Sequence, residues 1–298
     1  MNMDEIKKRN KRKIKRLKEI NQQKGFIEAS RSLYRYILRF RKYPRSLKNY
    51  YYNWLKYKKS NSYTDPYKII YINPEKIKYI LYPRFGTHYL DRYSYIIPGQ
   101  WDVNETKASS LQVKKTASKD NRKLAPIQKH VVYQSFKEHF IDGKSWEKTK
   151  YYKIWIEKVK NTPKSHSNYG TKEKFLNRFE EYDRLFHEIK TKGYKTQEEL
   201  RTGNSDNNYP LTDFNVAPQT GEILVNIGRD GKFILDDGRH RLFIVKLLGL
   251  EEVPVRIFVR HKKWQELRER YKDMDFNERK QIIKHPDMND IKKDFENG

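Results

Sequence analysis

The chain has 298 residues and a formal net charge of +27, with 36% hydrophobic and 35% charged residues. It contains no cysteine, which excludes disulfides, thiolate metal sites and a catalytic thiol. No apolar run reaches the length of a membrane span, and the basic N-terminus lacks the apolar segment of a secretory signal. We therefore expect a cytoplasmic protein whose core depends on its 23 Tyr and 14 Phe.

The positive charge is concentrated in the first 60 residues, which hold 20 Lys or Arg against 4 Asp or Glu. Residues 4–24 combine a thin apolar stripe with a strongly basic helical pattern, and residues 31–58 interleave aromatic and basic side chains. Such a segment can bind nucleic acid, lie on an anionic membrane surface or form a solvated helical face. We predict a basic helical N-terminal extension over residues 1–62 and leave these three roles open.

The next part of the chain predicts strands and loops. Residues 67–81 hold two short apolar runs on either side of Asn73, Pro74 and Glu75, and this pattern predicts a strand that leads into a proline turn. Turn-rich sequences at 83–86 and 98–102 are typical of loops that line a pocket. Residues 104–125 lose all periodicity and are rich in polar residues, so they predict a loop or a mobile insert.

A helical block follows over about residues 126–201. Its clearest member is residues 172–192, where apolar side chains recur at spacings of three and four, as they do on a helix packed against a core. Thr196 and Glu199 occupy the positions of a capping box and predict the start of a further short helix. We interpret the block as a large helical insertion.

The region from Glu222 to Val259 carries the strongest local pattern in the chain. An Asp-Gly turn at residues 230–231 predicts a hairpin between two strands, the second of which includes Phe233 and Leu235. A helix then starts with Asp237 as its expected N-cap and ends at Gly249. It is apolar on nearly all sides, so we expect it to be covered on nearly all sides. With the strand at 253–259, this pattern reads as a βαβ unit.

The first turn of this helix carries Arg239, His240 and Arg241. A helix N-terminus presents unpaired N–H groups and a partial positive charge, so cations are unfavourable there unless an anion is bound. This pattern favours an anion site. The alternative is that the two arginines pair with Asp236, Asp237 or Glu251 at the surface.

The string Asp237-Gly238-Arg239-His240-Arg241, with the apolar helix and the Val-Pro-Val strand after it, resembles the phosphate-binding motif of the ParB/sulfiredoxin superfamily. Its closest likeness is the Asp-Gly-His-x-Arg variant of the free serine kinase-like branch. The resemblance covers about residues 221–260. It implies that Gly238, Arg239, His240 and Arg241 hold the phosphates of ATP, ADP or CTP, together with Mg²⁺.

The resemblance also implies an α+β fold with a small mixed β-sheet. We predict such a domain over residues 63–272, with the helical insertion inside it and a peripheral tail at 273–298. Sulfiredoxin chemistry is excluded because the thiol is missing. The 38 residues after Arg260 are too few for the DNA-binding and dimerisation segments of the partition proteins.

A kinase-like phosphotransfer or a nucleotide hydrolysis remains compatible with the motif. Asp236 and Asp237 are the nearest carboxylates in sequence, and Glu75 is a further candidate acid or base. Each of them could instead be a cap, an arginine partner or a surface residue. The histidines are scattered without metal-ligand spacing, so no metal site made by the protein alone is predicted. The alternative class is a non-enzymatic nucleic-acid-binding protein that uses the same motif and the basic N-terminus on backbone phosphates.

Overall fold

The structure, a computed structural model, describes residues 69–85, 95–161, 172–202 and 221–291. The chain divides between Asp65 and Pro66 into two units, and every described residue belongs to the second. The predicted basic extension over residues 1–62 therefore lies outside the described residues.

One mixed sheet contains seven strands of the described residues. Its order is β1-β7-β5-β6-β2-β4, and β3 pairs with the second half of β7. The pairs β5–β7, β3–β7 and β2–β6 are parallel, whereas β1–β7, β5–β6 and β2–β4 are antiparallel. The strands are β1 (Ile69–Ile72), β2 (Tyr79–Tyr82), β3 (Tyr95–Ile97), β4 (Lys123–Pro126), β5 (Ile223–Ile227), β6 (Phe233–Asp237) and β7 (Val253–His261).

Helices lie between and after these strands, which confirms the predicted α+β class and the mixed sheet. They are α1 (Ser110–Thr116), α2 (Val131–Phe140), α3 (Lys150–Asn161), α4 (Lys172–Lys192), α5 (Gln197–Thr202), α6 (Arg239–Leu247), α7 (Lys262–Glu269) and α8 (Phe276–Ile282). Short 3₁₀ turns occur at Pro74–Lys76, Ile127–Lys129, Trp146–Lys148, Tyr271–Asp273 and Pro286–Met288. Among the described residues, no helix combines the length and the apolar character needed to cross a membrane.

Helix α6 is covered on nearly all sides, as its sequence predicts. Its residues Leu242 to Val245 have no exposed surface, and the helix packs against β5, α2, α4 and the Pro74–Lys76 turn. It ends at Leu247 with Leu248 as its C-cap, and Gly249 adopts the left-handed conformation with φ of 68° that a glycine permits after a helix. The predicted hairpin is also present as β5 and β6, and the Thr196–Glu199 capping box opens α5.

The predicted βαβ unit is wrong in its strand direction. Strand β6 is antiparallel to β5, whereas β7 is parallel to β5 and lies on its other side. Strands β6 and β7 therefore run in opposite directions and are not neighbours, so α6 does not connect a parallel pair. The order strand, helix, strand is present along the chain. In the sheet, however, β5 pairs with β6 through the hairpin and lies between β6 and β7.

Residues 104–125 are not the loop or mobile insert that their composition predicts. Helix α1 begins there after a capping box in which the Ser109 N–H and hydroxyl both donate to Gln112 Oε1. Strand β4 follows and pairs with β2, with Leu124 and Ala125 fully buried. Helix α1 and strand β4 are each too short for a periodic pattern to emerge. They are stabilised by the sheet, because β4 pairs with β2 and α1 packs on β4.

The expected peripheral tail is wrong for its described part. Asp287 is 1% exposed and accepts hydrogen bonds from the Arg260 guanidinium and from the Trp264 indole. Met288 and Ile291 are buried in the main core. The segment after α8 is therefore fastened to the end of β7 and to α7 by a buried ion pair, which its polar sequence does not reveal.

Candidate anion-binding site

The carboxyl ends of the two parallel strands β2 and β6 lie side by side in the sheet. Tyr79 is opposite Ile234 and Ile80 is opposite Leu235, so Tyr82 and Asp237 end the two strands at the same edge. Helix α6 starts directly after β6 and places its N-terminus at this edge. A helix N-terminus beside the carboxyl ends of parallel strands is a common setting for an anion.

Gly238 is the N-cap of α6, and the expectation that Asp237 would cap this helix is wrong. The backbone of Gly238 has a φ of 80°, and a Cβ at this position would meet the Cα of Ile223 at 2.9 Å. No side chain caps the helix, so the first-turn N–H groups of α6 have no side-chain acceptor in the described part of the chain. These N–H groups can donate to a bound anion.

Asp236 and Asp237 both fasten the loop after β2 to the start of α6. Asp237 Oδ1 accepts from Gly238 N at 2.9 Å and from Arg84 Nη1 at 2.6 Å. Asp236 has no exposed surface, and its Oδ2 accepts from the N–H of Phe85 and from Asn226 Nδ2, each at 2.9 Å. Its complete burial disfavours the catalytic role predicted for Asp236. These contacts do not test the catalytic role of Asp237, which stays a prediction.

Arg239 lies at the first position of α6 and is partly buried. Its Nε donates to His240 Nε2 at 3.3 Å, and no carboxylate of the described residues lies within ion-pair distance of its guanidinium. The alternative in which Arg239 simply pairs with Asp236, Asp237 or Glu251 is therefore not observed. An arginine at a helix N-terminus without a carboxylate is electrostatically unfavourable until an anion binds.

Arg241 differs from Arg239 because it is held inside the protein. Its Nη1 donates to Tyr194 Oη at 3.0 Å and lies 3.5 Å from Glu222 Oε2, and its Nη2 donates to the carbonyl oxygen of Gly221. Burial raises the pKa of Glu222, and the Arg241 charge works against that rise. The contacts give Arg241 an internal structural role, and its predicted contact with phosphate remains a prediction.

His240 is partly buried between the start of α6 and α4. Its Nε2 lies 3.1 Å from Tyr182 Oη and accepts from Arg239, which leaves Nδ1 to carry the ring proton of the neutral form. Burial, followed by repulsion from Arg239 and Arg178, lowers the pKa of His240 well below its ordinary value. His240 is thus a neutral donor at neutral pH and adds no further charge to the site.

Three residues that sequence reasoning missed surround the same helix end. Tyr82 ends β2, Lys114 lies on α1, and His130 is the N-cap of α2 and packs on Phe243 of α6 at 5.1 Å between ring centroids. Arg239 lowers the pKa of both Lys114 and His130, after the larger effect of burial in each case. These residues are 16 to 157 positions away from Arg239 or from one another, and no local spacing links them to the motif.

Glu75 lies away from this site, contrary to the prediction that places it near the phosphates. Its Oε1 is 3.1 Å from Lys246 Nζ, which also donates to the carbonyl oxygen of Pro74 at 2.9 Å. Lys246 is seven residues after Arg239, or roughly 10 Å along the helix at about 1.5 Å per residue. Glu75 therefore pairs with the opposite end of α6, and it is excluded from the site by the direction of the helix.

No group of three or more His, Asp or Glu side chains within the described ranges could hold a metal ion. Comparison of the chain with protein-family models, curated proteins and solved structures finds no match. The interpretation of the site therefore depends on its own geometry and charge.

Proposed function

We propose that this chain is a nucleotide-binding protein of the ParB/sulfiredoxin-like type that holds nucleotide phosphates at the N-terminus of α6. The observation that carries the proposal is Arg239, which lies at an uncapped helix N-terminus and has no carboxylate partner in the described part of the chain. A phosphate would accept from the first-turn N–H groups and neutralise the guanidinium at the same time.

The surroundings of Arg239 support an anion of more than one negative charge. Three further cations, Arg84, Lys114 and Arg178, lower the pKa of His130 or His240 as Arg239 does. Arg84 forms an ion pair with Asp237, and Arg178 forms one with Glu181. Arg239 and Lys114 remain without a carboxylate among the described residues. ATP, ADP and CTP fit this requirement because each carries adjacent phosphates, and Mg²⁺ would enter with the nucleotide rather than through a protein cage.

Phosphoryl transfer or nucleotide hydrolysis is the chemical extension of this proposal. Asp237 is the one candidate carboxylate that lies at the helix N-terminus and keeps exposed surface, with 37% of its side chain accessible. It would have to exchange Arg84 for an acceptor hydroxyl or a metal-bound water to act as a base. Asp236 is enclosed and Glu75 lies elsewhere, so we assign the proposed chemistry to Asp237 alone.

Thermal unfolding in the presence of ATP, ADP or CTP, each with and without Mg²⁺, tests nucleotide binding. A ligand present at about 100 times its Kd adds about 2.7 kcal/mol to the free energy of unfolding and should raise Tm by roughly 5 °C or more. The Arg239→Ala variant should lose the shift. Arg270→Ala is the matched control, because Arg270 is an exposed residue after α7, beyond the far end of β7.

The absence of a nucleotide effect on Tm also has a specific interpretation. If no nucleotide changes Tm and the protein binds RNA or DNA with a strong dependence on salt, then the alternative class of a non-enzymatic nucleic-acid-binding protein replaces this proposal. If a nucleotide raises Tm equally in wild type and Arg239→Ala, then the nucleotide site lies elsewhere in the chain.

A further inference from the structure

Tyr82 places a buried hydroxyl beside the N-terminus of α6. The residue is 5% exposed, and its Oη lies 2.9 Å from His130 Nε2. Burial raises the pKa of Tyr82, with Arg239 and Arg84 working against the rise, so the hydroxyl keeps its proton at neutral pH. The charges of Arg84 and Arg239, both at the start of the helix, therefore act on Tyr82 as well.

The backbone contact of His130 decides which partner donates in the Tyr82 pair. His130 Nδ1 accepts from the N–H of Val132 at 3.1 Å, as the side-chain cap of α2. Burial, followed by repulsion from Arg239 and Lys114, lowers the pKa of His130 well below its ordinary value, so the ring is neutral. A neutral imidazole has one N–H, which must then be on Nε2.

It follows that His130 donates to Tyr82 and that the Tyr82 oxygen is the acceptor. The hydroxyl proton of Tyr82 then has to be donated elsewhere, and no acceptor for it is found among the described residues. A buried donor that lacks an acceptor lowers stability by about 1–3 kcal/mol, so such a group indicates a missing partner. The cations around it indicate that the partner is an anion.

Lys114 gives an independent observation at the same place. Its Nζ lies 5.5 Å from the centroid of the Tyr82 ring and has no carboxylate within ion-pair distance in the described part of the chain. Desolvation, followed by repulsion from Arg239, Lys158 and Arg84, lowers the pKa of Lys114 to about 8.

We propose that Tyr82 and Lys114 are direct ligands of the anion held at the N-terminus of α6. The Tyr82 hydroxyl is a neutral hydrogen-bond donor to the anion, and the Lys114 ammonium is a charged one. The inference rests on the proposed function and deepens it, since it extends the phosphate site from the Asp237–Arg241 motif to β2 and α1. His130 is a positioning residue, because it turns the Tyr82 hydroxyl towards the ligand. The ligand class is a compound with adjacent phosphates.

Isothermal titration with ATP and with inorganic pyrophosphate, both with Mg²⁺, tests this assignment. Tyr82→Phe removes one donor to a charged acceptor and should raise Kd about ten-fold or more. Lys114→Gln should raise Kd by a similar factor. The matched controls are Tyr71→Phe, on the exposed side of β1, and Lys115→Gln, next to Lys114 on α1; both should bind as wild type does.

A double-mutant cycle tests the positioning role of His130. His130→Asn keeps an acceptor for the Val132 N–H and should weaken binding in the wild-type background. In the Tyr82→Phe background the same change should have no further effect on Kd, because the hydroxyl that it orients is gone. Equal effects in the two backgrounds would overturn the positioning role.

The outcomes separate this inference from the proposed function. If ATP and pyrophosphate bind and Arg239→Ala abolishes binding, while Tyr82→Phe and Lys114→Gln bind like their controls, then the phosphate site stands and its extension to β2 and α1 is wrong. If neither compound binds the wild-type protein, then both proposals are overturned.

Discussion

Arg241 is ion-paired with Glu222, with Nη1 3.5 Å from Oε2, at the very turn of α6 where Arg239 faces no described carboxylate. The two arginines are two residues apart and both belong to the same motif, yet only one of them is neutralised inside the protein. This contrast separates a residue that supports the fold from a residue that is available to a ligand.

The first prediction concerns the free energy of unfolding of the two arginine variants without ligand. Arg241→Ala leaves the buried Glu222 carboxylate without its guanidinium, so stability should fall by about 3 kcal/mol. Arg239→Ala removes a cation from a cationic helix N-terminus, so stability should stay within about 0.5 kcal/mol of wild type or rise. Urea unfolding measures both values. A loss in Arg239→Ala as large as in Arg241→Ala would show that Arg239 has a structural partner.

The second prediction concerns the glycine that begins α6. Gly238→Ala forces a left-handed residue against the backbone of Ile223 and should lower stability by about 2 kcal/mol or more. Gly249→Ala is the matched control, since Gly249 has a φ of 68° and nothing within 4 Å of its added Cβ. It should cost about 1 kcal/mol. If chemical denaturation gives the same loss in free energy of unfolding for both variants, then the contact with Ile223 does not contribute to the effect of Gly238→Ala.

The third prediction concerns Asp287 at low pH. Burial alone would raise the pKa of Asp287, but Arg260 and Arg268 hold it far below its ordinary value. A carboxylate with a lowered folded-state pKa stabilises the protein above its unfolded pKa of about 3.9, and this contribution is lost as pH falls below that value. Asp287→Asn should therefore cost about 3–5 kcal/mol at pH 7. The difference from wild type should shrink below pH 4.

Asp230→Asn serves as the control for Asp287→Asn, because Asp230 is 55% exposed and only 3.5 Å from Lys232. Its stability should stay within about 1 kcal/mol of wild type at pH 7. A difference between Asp287→Asn and wild type that persists unchanged down to pH 2 would contradict the buried ion pair.

The fourth prediction concerns the two neutral histidines of the site. The folded-state pKa values of His130 and His240 are lowered by burial first, so both rings are protonated in the unfolded chain before they are in the folded protein. Their contribution to stability is therefore full above about pH 6.5 and is lost as pH falls below it. Each ring adds a slope of up to about 1.4 kcal/mol per pH unit.

His130→Asn should reduce this slope between pH 6.5 and 5 by up to that amount. The matched control is His187→Asn, a histidine change at an exposed position of α4. Denaturant midpoints across the pH range give the comparison. An unchanged slope in His130→Asn would mean that this ring is already charged in the folded protein.

The sequence was most informative where the determinants are local. The helix α6, its covered character, its terminal Gly249 and the β5–β6 hairpin follow from spacing and from turn residues. Strand direction and pairing are not local, so the βαβ interpretation was wrong. The same holds for Asp287, an ordinary aspartate in a polar segment until β7 and α7 bring Arg260 and Arg268 to it.

The candidate site was predictable only in the part that lies on one stretch of chain. Gly238, Arg239 and His240 were found from the motif, because the cost of cations at a helix N-terminus can be read from sequence alone. Tyr82 and Lys114 could not be found in this way, since their neighbours are set by the parallel pairing of β2 with β6 and by the position of α1. The ion pair between Arg241 and Glu222 could not be predicted from the sequence either.

The parallel pairing of β2 with β6 also sets when the site can exist during folding. This ladder brings Tyr82 close to Gly238, and 155 residues separate them along the chain. Contacts of such long range form late, because the loop between them must close first. A ligand of the site should therefore slow unfolding without accelerating folding, and a nascent chain that has not yet reached α6 has no site to offer it.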